Sequence, residues 1–179
     1  MARPHHAAAA TRVIASPMGR FVLHLSLEGT LTSEWRHLAD LCDEPVRSKG
    51  NSAWLDHVAE RLADYFAGES VPDWSDVPTP DGPDFHHRCW EACRKIPHGE
   101  VRSYGDLAEM AGSTRLASRA AGQAMRSNPL SVIVPCHRVV ASDGRLHGYA
   151  GTISDSSEAL DIKRRLLTLE QATLTAASR

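Results

Sequence analysis

The hydrophobic positions change their period along the chain, and the change divides it into segments. Thr11–Ile14 and Phe21–Leu27 are short runs rich in β-branched and aromatic residues, joined by the turn-forming Ser16-Pro-Met-Gly19, and they predict two strands. Trp35–Cys42 is expected to form a short helix. Across Ser52–Ala67 the period lengthens: Leu55, Val58, Leu62, Tyr65 and Phe66 recur at steps of three and four, and Gly68 follows as a stop. That is the pattern of an amphipathic helix with one buried face.

A proline- and aspartate-rich stretch, 71–84, breaks the pattern and predicts a linker. After it, Phe85, Cys89, Cys93 and Ile96 mark one face of a helix over 85–96, which Pro97-His-Gly99 ends. Ser103 is placed to cap a helix over 104–111, with Asp106 at the capping-box position. Gly112-Ser-Thr114 then turns the chain into a second helix over 116–126. Two short helices around a glycine-containing turn are either a plain helical hairpin or a helix-turn-helix. The second carries Ala117, Ala120, Ala121, Gly122 and Ala124, small side chains that permit close approach to a neighbouring helix or to a DNA groove, with Arg119 and Arg126 between and after them. A last helix over 161–169 sets Lys163, Leu166, Leu167 and Glu170 on one face, so Glu170 is aimed inward from its end.

One segment departs from all of these. Val132-Ile-Val-Pro-Cys-His-Arg-Val-Val140 places five β-branched residues around Pro135, Cys136, His137 and Arg138. Such a run reads as buried strand, and burying polar groups in it is costly unless they have partners. Pro135 interrupts any regular ladder, so the thiol is presented at a break beside an imidazole. An isolated cysteine is more often a small hydrophobe than a nucleophile, but this setting suits a nucleophilic thiol with His137 as its base. An inward Glu170 needs a partner, and His137 is the obvious one.

Composition narrows the reading. Hydrophobic content of 42% and charged content of 23% are ordinary for a globular protein, and no apolar run approaches a membrane span. Four cysteines without a Cys-x-x-Cys pair, and ten scattered histidines, form no metal-ligand spacing; no metal or cofactor is expected. Reduced cytoplasmic thiols are the better reading of such cysteines. The net charge of −2 hides an asymmetry: residues 1–81 carry 7 Lys+Arg against 12 Asp+Glu, and residues 82–179 carry 13 against 10. The second part is therefore the side expected to meet phosphates.

Pro135-Cys-His-Arg138, with Asn128-Pro129 upstream, Gly148-Tyr149-Ala150-Gly151 downstream and then Lys163-x-x-Leu166-Leu167-x-x-Glu170, resembles the methylated-DNA–protein-cysteine methyltransferases, or O6-alkylguanine-DNA alkyltransferases. The resemblance is strong from about Asp84 to Glu170. It implies a DNA repair protein that flips O6-alkylguanine, and O4-alkylthymine, from duplex DNA and takes the alkyl group irreversibly onto its own cysteine. Cys136 would be the acceptor, with His137 and Glu170 as its relay. Tyr104 would rotate the nucleotide and offer its hydroxyl to the guanine ring. Arg119 would fill the vacated stack, with Ala120, Ala121, Gly122 and Arg126 on the DNA-binding helix. Asn128 would tie that helix to the active-site strand, and Pro135, Tyr149, Ala150 and Gly151 would shape the pocket. Arg138 is read as a structural ion pair. The family usually has a second Gly where Thr152 stands here, and 152–160 lengthens the loop, which bears on pocket shape.

The expected architecture is α/β (α+β). It comprises a disordered tail over 1–10, a small α/β support domain over 11–70, the linker, a mostly helical alkyltransferase domain over 85–172 with a short active-site strand, and a tail over 173–179. The protein is expected to be a cytoplasmic monomer that joins the nucleoid when on DNA. Two other readings compete. Related alkyltransferase-like proteins bind the lesion but lack the acceptor cysteine, which is present here; a thiol hydrolase would need an oxyanion hole, for which no signature appears.

Overall fold

The structure is a computed structural model, and it describes residues 8–36, 50, 52–149 and 157–171. The chain forms two units, Met1–Asp73 and Trp74–Arg179.

In the first unit, β1 (Ala8–Ser16), β2 (Gly19–Ser26) and β3 (Leu31–Arg36) make an antiparallel sheet in that order. The β1–β2 turn is held by Ser16, whose Oγ accepts from the Met18 amide at 3.1 Å and donates to the Gly19 carbonyl at 2.8 Å. Gly19 has φ +126°, a conformation side chains rarely adopt. The helix α1 (Ala53–Ala67) starts at Ser52, whose hydroxyl accepts from the Leu55 amide, and stops at left-handed Gly68. All five apolar positions of its predicted stripe are buried. Phe66 meets Phe21 and Trp35 edge-on or tilted, at ring separations of 5.6 and 5.7 Å. Arg12 of β1 donates to Asp56 in the first turn of α1.

Two expectations are corrected here. Trp35 does not open a helix: it lies in β3 directly opposite Phe21, with ring centroids 4.8 Å apart. Leu31 and Ser33 are buried while their neighbours are partly exposed, so the period is that of a strand. Residues 37–42 lie outside the described residues. Ala8–Ala10, expected in the tail, extend β1 instead; residues 1–7 and 172–179 are likewise outside the described residues.

The second unit begins within the expected linker. Arg94 donates to the carbonyls of Trp74 and Val77 and to the Thr79 hydroxyl, binding that stretch to α2 (Asp84–Arg94). Gly82 lies so close to Trp90 that a Cβ there would sit 2.7 Å from its ring. Trp90 in turn donates its indole N–H to the Ala124 carbonyl at 2.8 Å. The two-residue strand β4 (Arg102–Ser103) leads directly into α3 (Tyr104–Met110), closed by the expected capping box between Ser103 and Asp106. A 3₁₀ turn, Arg115–Ala117, precedes α4 (Ser118–Arg126). Arg115 draws Asp106 and Glu109 of α3 to that turn.

The Val132–Val140 run is not one strand. Val132 has φ +71°, which for a β-branched residue costs on the order of 1–3 kcal/mol. Val134 makes an isolated bridge to Ser131, Pro135 then enters a 3₁₀ turn, Cys136–Arg138, and β5 (Val139–Val140) pairs parallel to β4. The helix α5 (Ser157–Leu169) buries Ala159, Lys163, Leu166 and Leu167.

Candidate active site

Cys136 heads the 3₁₀ turn, its amide donating to the Val134 carbonyl at 2.8 Å, and is almost wholly buried. Adjacent side chains on a turn do not alternate as on a strand. His137 accordingly points into the unit, fully buried, while Cys136 lines a cavity of about 910 Å³. Asn128 fixes the approach to this turn: its side-chain amide donates to the Val134 carbonyl at 2.9 Å and its oxygen accepts from the Leu130 amide at 3.0 Å. The residue just past the end of α4 is thereby tied to the segment that carries Cys136.

Glu170 follows the last residue of α5 and is 3% exposed. Its Oε1 lies 2.8 Å from His137 Nε2. Arg138 takes both carboxylate oxygens, Nε to Oε2 at 2.9 Å and Nη2 to Oε1 at 2.8 Å. The Gly99 amide adds a fourth donor, to Oε2 at 3.2 Å. Burial works against the charge on Glu170, yet the hydrogen bonds and charges of His137 and Arg138 outweigh it and hold the carboxyl far below its usual range. For His137 burial is the larger influence: it pushes the imidazole below its ordinary value, opposed by Glu170 and aided by the cations Arg138 and Lys163. A neutral ring beside a carboxylate carries its proton on Nε2, which leaves the Nδ1 lone pair on the other side of the ring.

The cavity wall opposite comes from α3, α4 and the loop after β5. Tyr104, half-buried, donates from its hydroxyl to the His147 carbonyl at 3.3 Å. Its phenol is pushed up by burial and by the two nearby thiols, Cys136 and Cys93. Gly122 faces that ring, where a Cβ would meet it at 3.8 Å. Arg119 and Arg126 line the cavity and are exposed, and Ala120 is exposed beside them. Ala121 corrects the expectation that it meets DNA. It is fully buried with Ala124, one helical step away, because this face of α4 packs against α2 and α3. Tyr149 is buried with its ring 6.4 Å from that of His137. Ala150, Gly151 and the loop residues 152–156 lie outside the described residues.

Lys163 is the site residue that pattern reading passed over. It stands on the leucine face of α5 and is 1% exposed. Its ammonium donates to the Val139 carbonyl at 2.7 Å and the His147 carbonyl at 3.0 Å, and lies 5.8 Å from the centre of the Tyr104 ring. Burial, opposed by the neighbouring thiols Cys136 and Cys93, pushes its pKa down to about 8. A lysine in the apolar stripe of a helix was the available signal.

Residues 84–172 match the family model for the DNA binding domain of 6-O-methylguanine DNA methyltransferase. A methylated-DNA–protein-cysteine methyltransferase of Methanosarcina acetivorans is 35% identical over 158 residues, which cover 88% of this chain and 96% of the relative. The crystal structure of the O6-methylguanine methyltransferase of Mycobacterium tuberculosis superposes with a TM-score of 0.68 at 35% identity, covering 90% of this chain and 92% of that one. The chain belongs to the methylated-DNA–protein-cysteine methyltransferases. A further structure, Mycobacterium tuberculosis OGT in complex with DNA, matches with a TM-score of 0.67 and the same coverage.

Such a methyltransferase requires a cysteine, and the described residues contain three. In this methyltransferase Cys89 and Cys93 are buried on α2, where burial pushes Cys89 up to about 11 and Cys93 well above its ordinary value. Both are thereby kept as thiols and are poor nucleophiles. Cys136 alone of the three lines the cavity. Among the described residues no cluster of His, Cys, Asp and Glu gathers as a metal site, and no helix is long and apolar enough to cross a membrane.

Proposed function

We propose that this methyltransferase binds double-stranded DNA carrying O6-alkylguanine, or O4-alkylthymine, turns the damaged base into the cavity and transfers its alkyl group to Cys136 Sγ. The observation that carries this reading is the position of Cys136, on the cavity wall and next in sequence to a buried histidine–glutamate pair. The thiol proton passes to His137 Nδ1, directly or through one water, and Glu170 stabilises the imidazolium that results. The thiolate lone pair forms the S–C bond as the bond from the alkyl carbon to O6 breaks, and the electron pair stays on the guanine. The Tyr104 hydroxyl hydrogen-bonds the ring as it gains electrons. Lys163 fixes the carbonyl of His147, on which Tyr104 also rests, and adds positive potential at the leaving base.

The helical pair α3 and α4 acts as the DNA-reading helix-turn-helix, with Arg119, Ala120, Gly122 and Arg126 on the side that meets the duplex. Arg119 enters the stack as the base leaves it. Pro135 and Tyr149 frame the pocket, and Asn128 keeps it in register with α4. In this reading the second unit carries both binding and chemistry, the first supports it, and the protein works as a monomer in the cytoplasm.

The thioether has no leaving group that water or a thiol can displace, so each molecule reacts once. Excess duplex with labelled O6-methylguanine should give a burst equal to the active protein, with the label found by mass spectrometry as S-methylcysteine at position 136. Cys136→Ser should bind the lesion and take no label. Sustained turnover beyond one equivalent, or label released as methanol, would favour a hydrolase. Lesion binding without label on Cys136 would favour a non-catalytic alkyltransferase-like role.

A further inference from the structure

We propose that Arg138 is a positioning residue for alkyl transfer: its guanidinium fork fixes the Glu170 carboxylate as an anion aimed at His137, so that the thiol proton comes to rest on the imidazole. This rests on the relay of Cys136, His137 and Glu170 proposed above. An ion pair alone would be weak support, since many buried pairs are dispensable. The geometry here is more specific. The fork engages both oxygens of one carboxylate, and its remaining nitrogen, Nη1, is anchored on the Ile96 carbonyl at 2.7 Å. Oε1 is shared between Arg138 and His137. The plane of the carboxylate is therefore set by Arg138, and with it the direction of the lone pair that accepts the hydrogen bond from Nε2. That bond fixes the tautomer and leaves Nδ1 as the base.

The charge matters as much as the direction. A buried carboxylate facing only an imidazolium has two places to put the proton, and neutralising itself is one of them. Two hydrogen bonds from a permanent cation remove that option for Glu170. The same cation also opposes protonation of His137, so the ring is neutral and ready as a base at neutral pH. The charged groups that act on His137 are Glu170 and Lys163, from the end of α5 and from α5 itself, and Arg138 on its own turn, and the phenol that faces its ring is that of Tyr149. Of these, Arg138 and Glu170 are joined by a fork.

Because each molecule reacts once, burst amplitude counts folded, competent protein and the single-turnover rate reads the site. Arg138→Lys keeps the charge and loses the fork; Arg138→Met loses both. Arg138→Lys should lower the plateau rate roughly ten-fold or more with the amplitude and DNA affinity retained. Arg138→Met should in addition move the acid limb of the rate profile to higher pH, by about one unit, as the histidine loses a repelling cation. In a Glu170→Gln background Arg138→Lys should add little. Full rates with an unmoved acid limb in both Arg138 variants, at whatever amplitude, would reduce Arg138 to a structural pair and leave the relay standing. A wild-type rate in Glu170→Gln would overturn the relay and this role together. Should Arg138→Met fail to fold, Arg138→Lys decides alone: a wild-type rate per active molecule overturns the role.

Discussion

The two units bury different things. The first closes its core with rings and aliphatic side chains, Phe21, Trp35, Leu62 and Phe66, and of its charged groups buries only Arg12 among the described residues. The second buries Ser103, Asn128, Ser131, His137, Lys163 and Glu170. Apart from Ser103, which caps α3, these lie on or against the segment running from the end of α4 to β5. Burying a polar group is unfavourable unless its hydrogen bonds are replaced, and charges cost most. The second unit meets that requirement group by group, with the fork on Glu170 and the carbonyls around Lys163. A core made for stability alone would not choose this composition, so the difference singles out, without reference to the cysteine, the segment on which the chemistry is proposed.

The contrast breaks most sharply at Glu170. Glu170→Gln keeps the size of the side chain and removes the anion, so alkyl transfer should slow by tens- to thousands-fold, roughly the range of general-base contributions. DNA affinity should stay within a few-fold. An unchanged single-turnover rate would take Glu170 out of the mechanism.

The first unit should respond in the opposite way. Phe66 is 3% exposed and sits between Phe21, Trp35 and Tyr65. Phe66→Ala should cost about 3–5 kcal/mol in denaturant unfolding. The transfer rate of each molecule that remains folded should not change. A slowed rate at full burst amplitude would show that the first unit shapes the site.

A smaller effect should appear with pH. Lys163 has a folded pKa of about 8 against an ordinary 10.5. Between those values the unfolded chain holds the proton and the folded chain does not, so stability rises with pH across the window, by up to about 1.4 kcal/mol per unit. Below about pH 8 the burial cost is present in full. Lys163→Met should flatten that rise, read as unfolding free energy from pH 8 to 10.5. The same slope in the variant would mean that the ammonium is solvated in the folded protein. Glu170 acts at the other end: its lowered pKa supports the fold above the ordinary carboxylate range and ceases to do so as acid protonates it.

How far the sequence reveals this arrangement depends on the range of the interaction. The period-3.6 stripe of α1 and the Ser103–Asp106 capping box are local, and both were legible. The segment around Cys136 stood out by its residue types, but its shape was not legible. β-branched residues argued for a strand, whereas left-handed Val132 and Pro135 turn the chain into a 3₁₀ element. Trp35 was misread because its partner, Phe21, lies on another strand, and six residues are too few to separate the two periods. Ala121 was ambiguous for a related reason: small side chains suit a helix neighbour and a groove equally, and only tertiary packing chooses. Lys163 was visible in the apolar stripe, yet nothing nearby in sequence reveals the carbonyls that receive its protons.

Arg119 tests the outer edge of the same contrast, where the second unit meets solvent. It lines the cavity and is exposed on α4, with the small Ala120 and Gly122 near it. If its role is to fill the vacated stack, it contributes only when there is a stack to open. Arg119→Ala should therefore slow repair of a paired lesion by roughly ten-fold, a part of the few kcal/mol that unstacking and unpairing cost. The loss should shrink when the same lesion is presented in a single strand or opposite a gap, where extrusion is nearly free. The salt dependence of binding should fall slightly in both cases, since one cation near phosphates is gone. Comparing single-turnover rates on the two substrates separates these effects. An equal loss on both would show that Arg119 serves general phosphate attraction, and the stack-filling role would have to be given up.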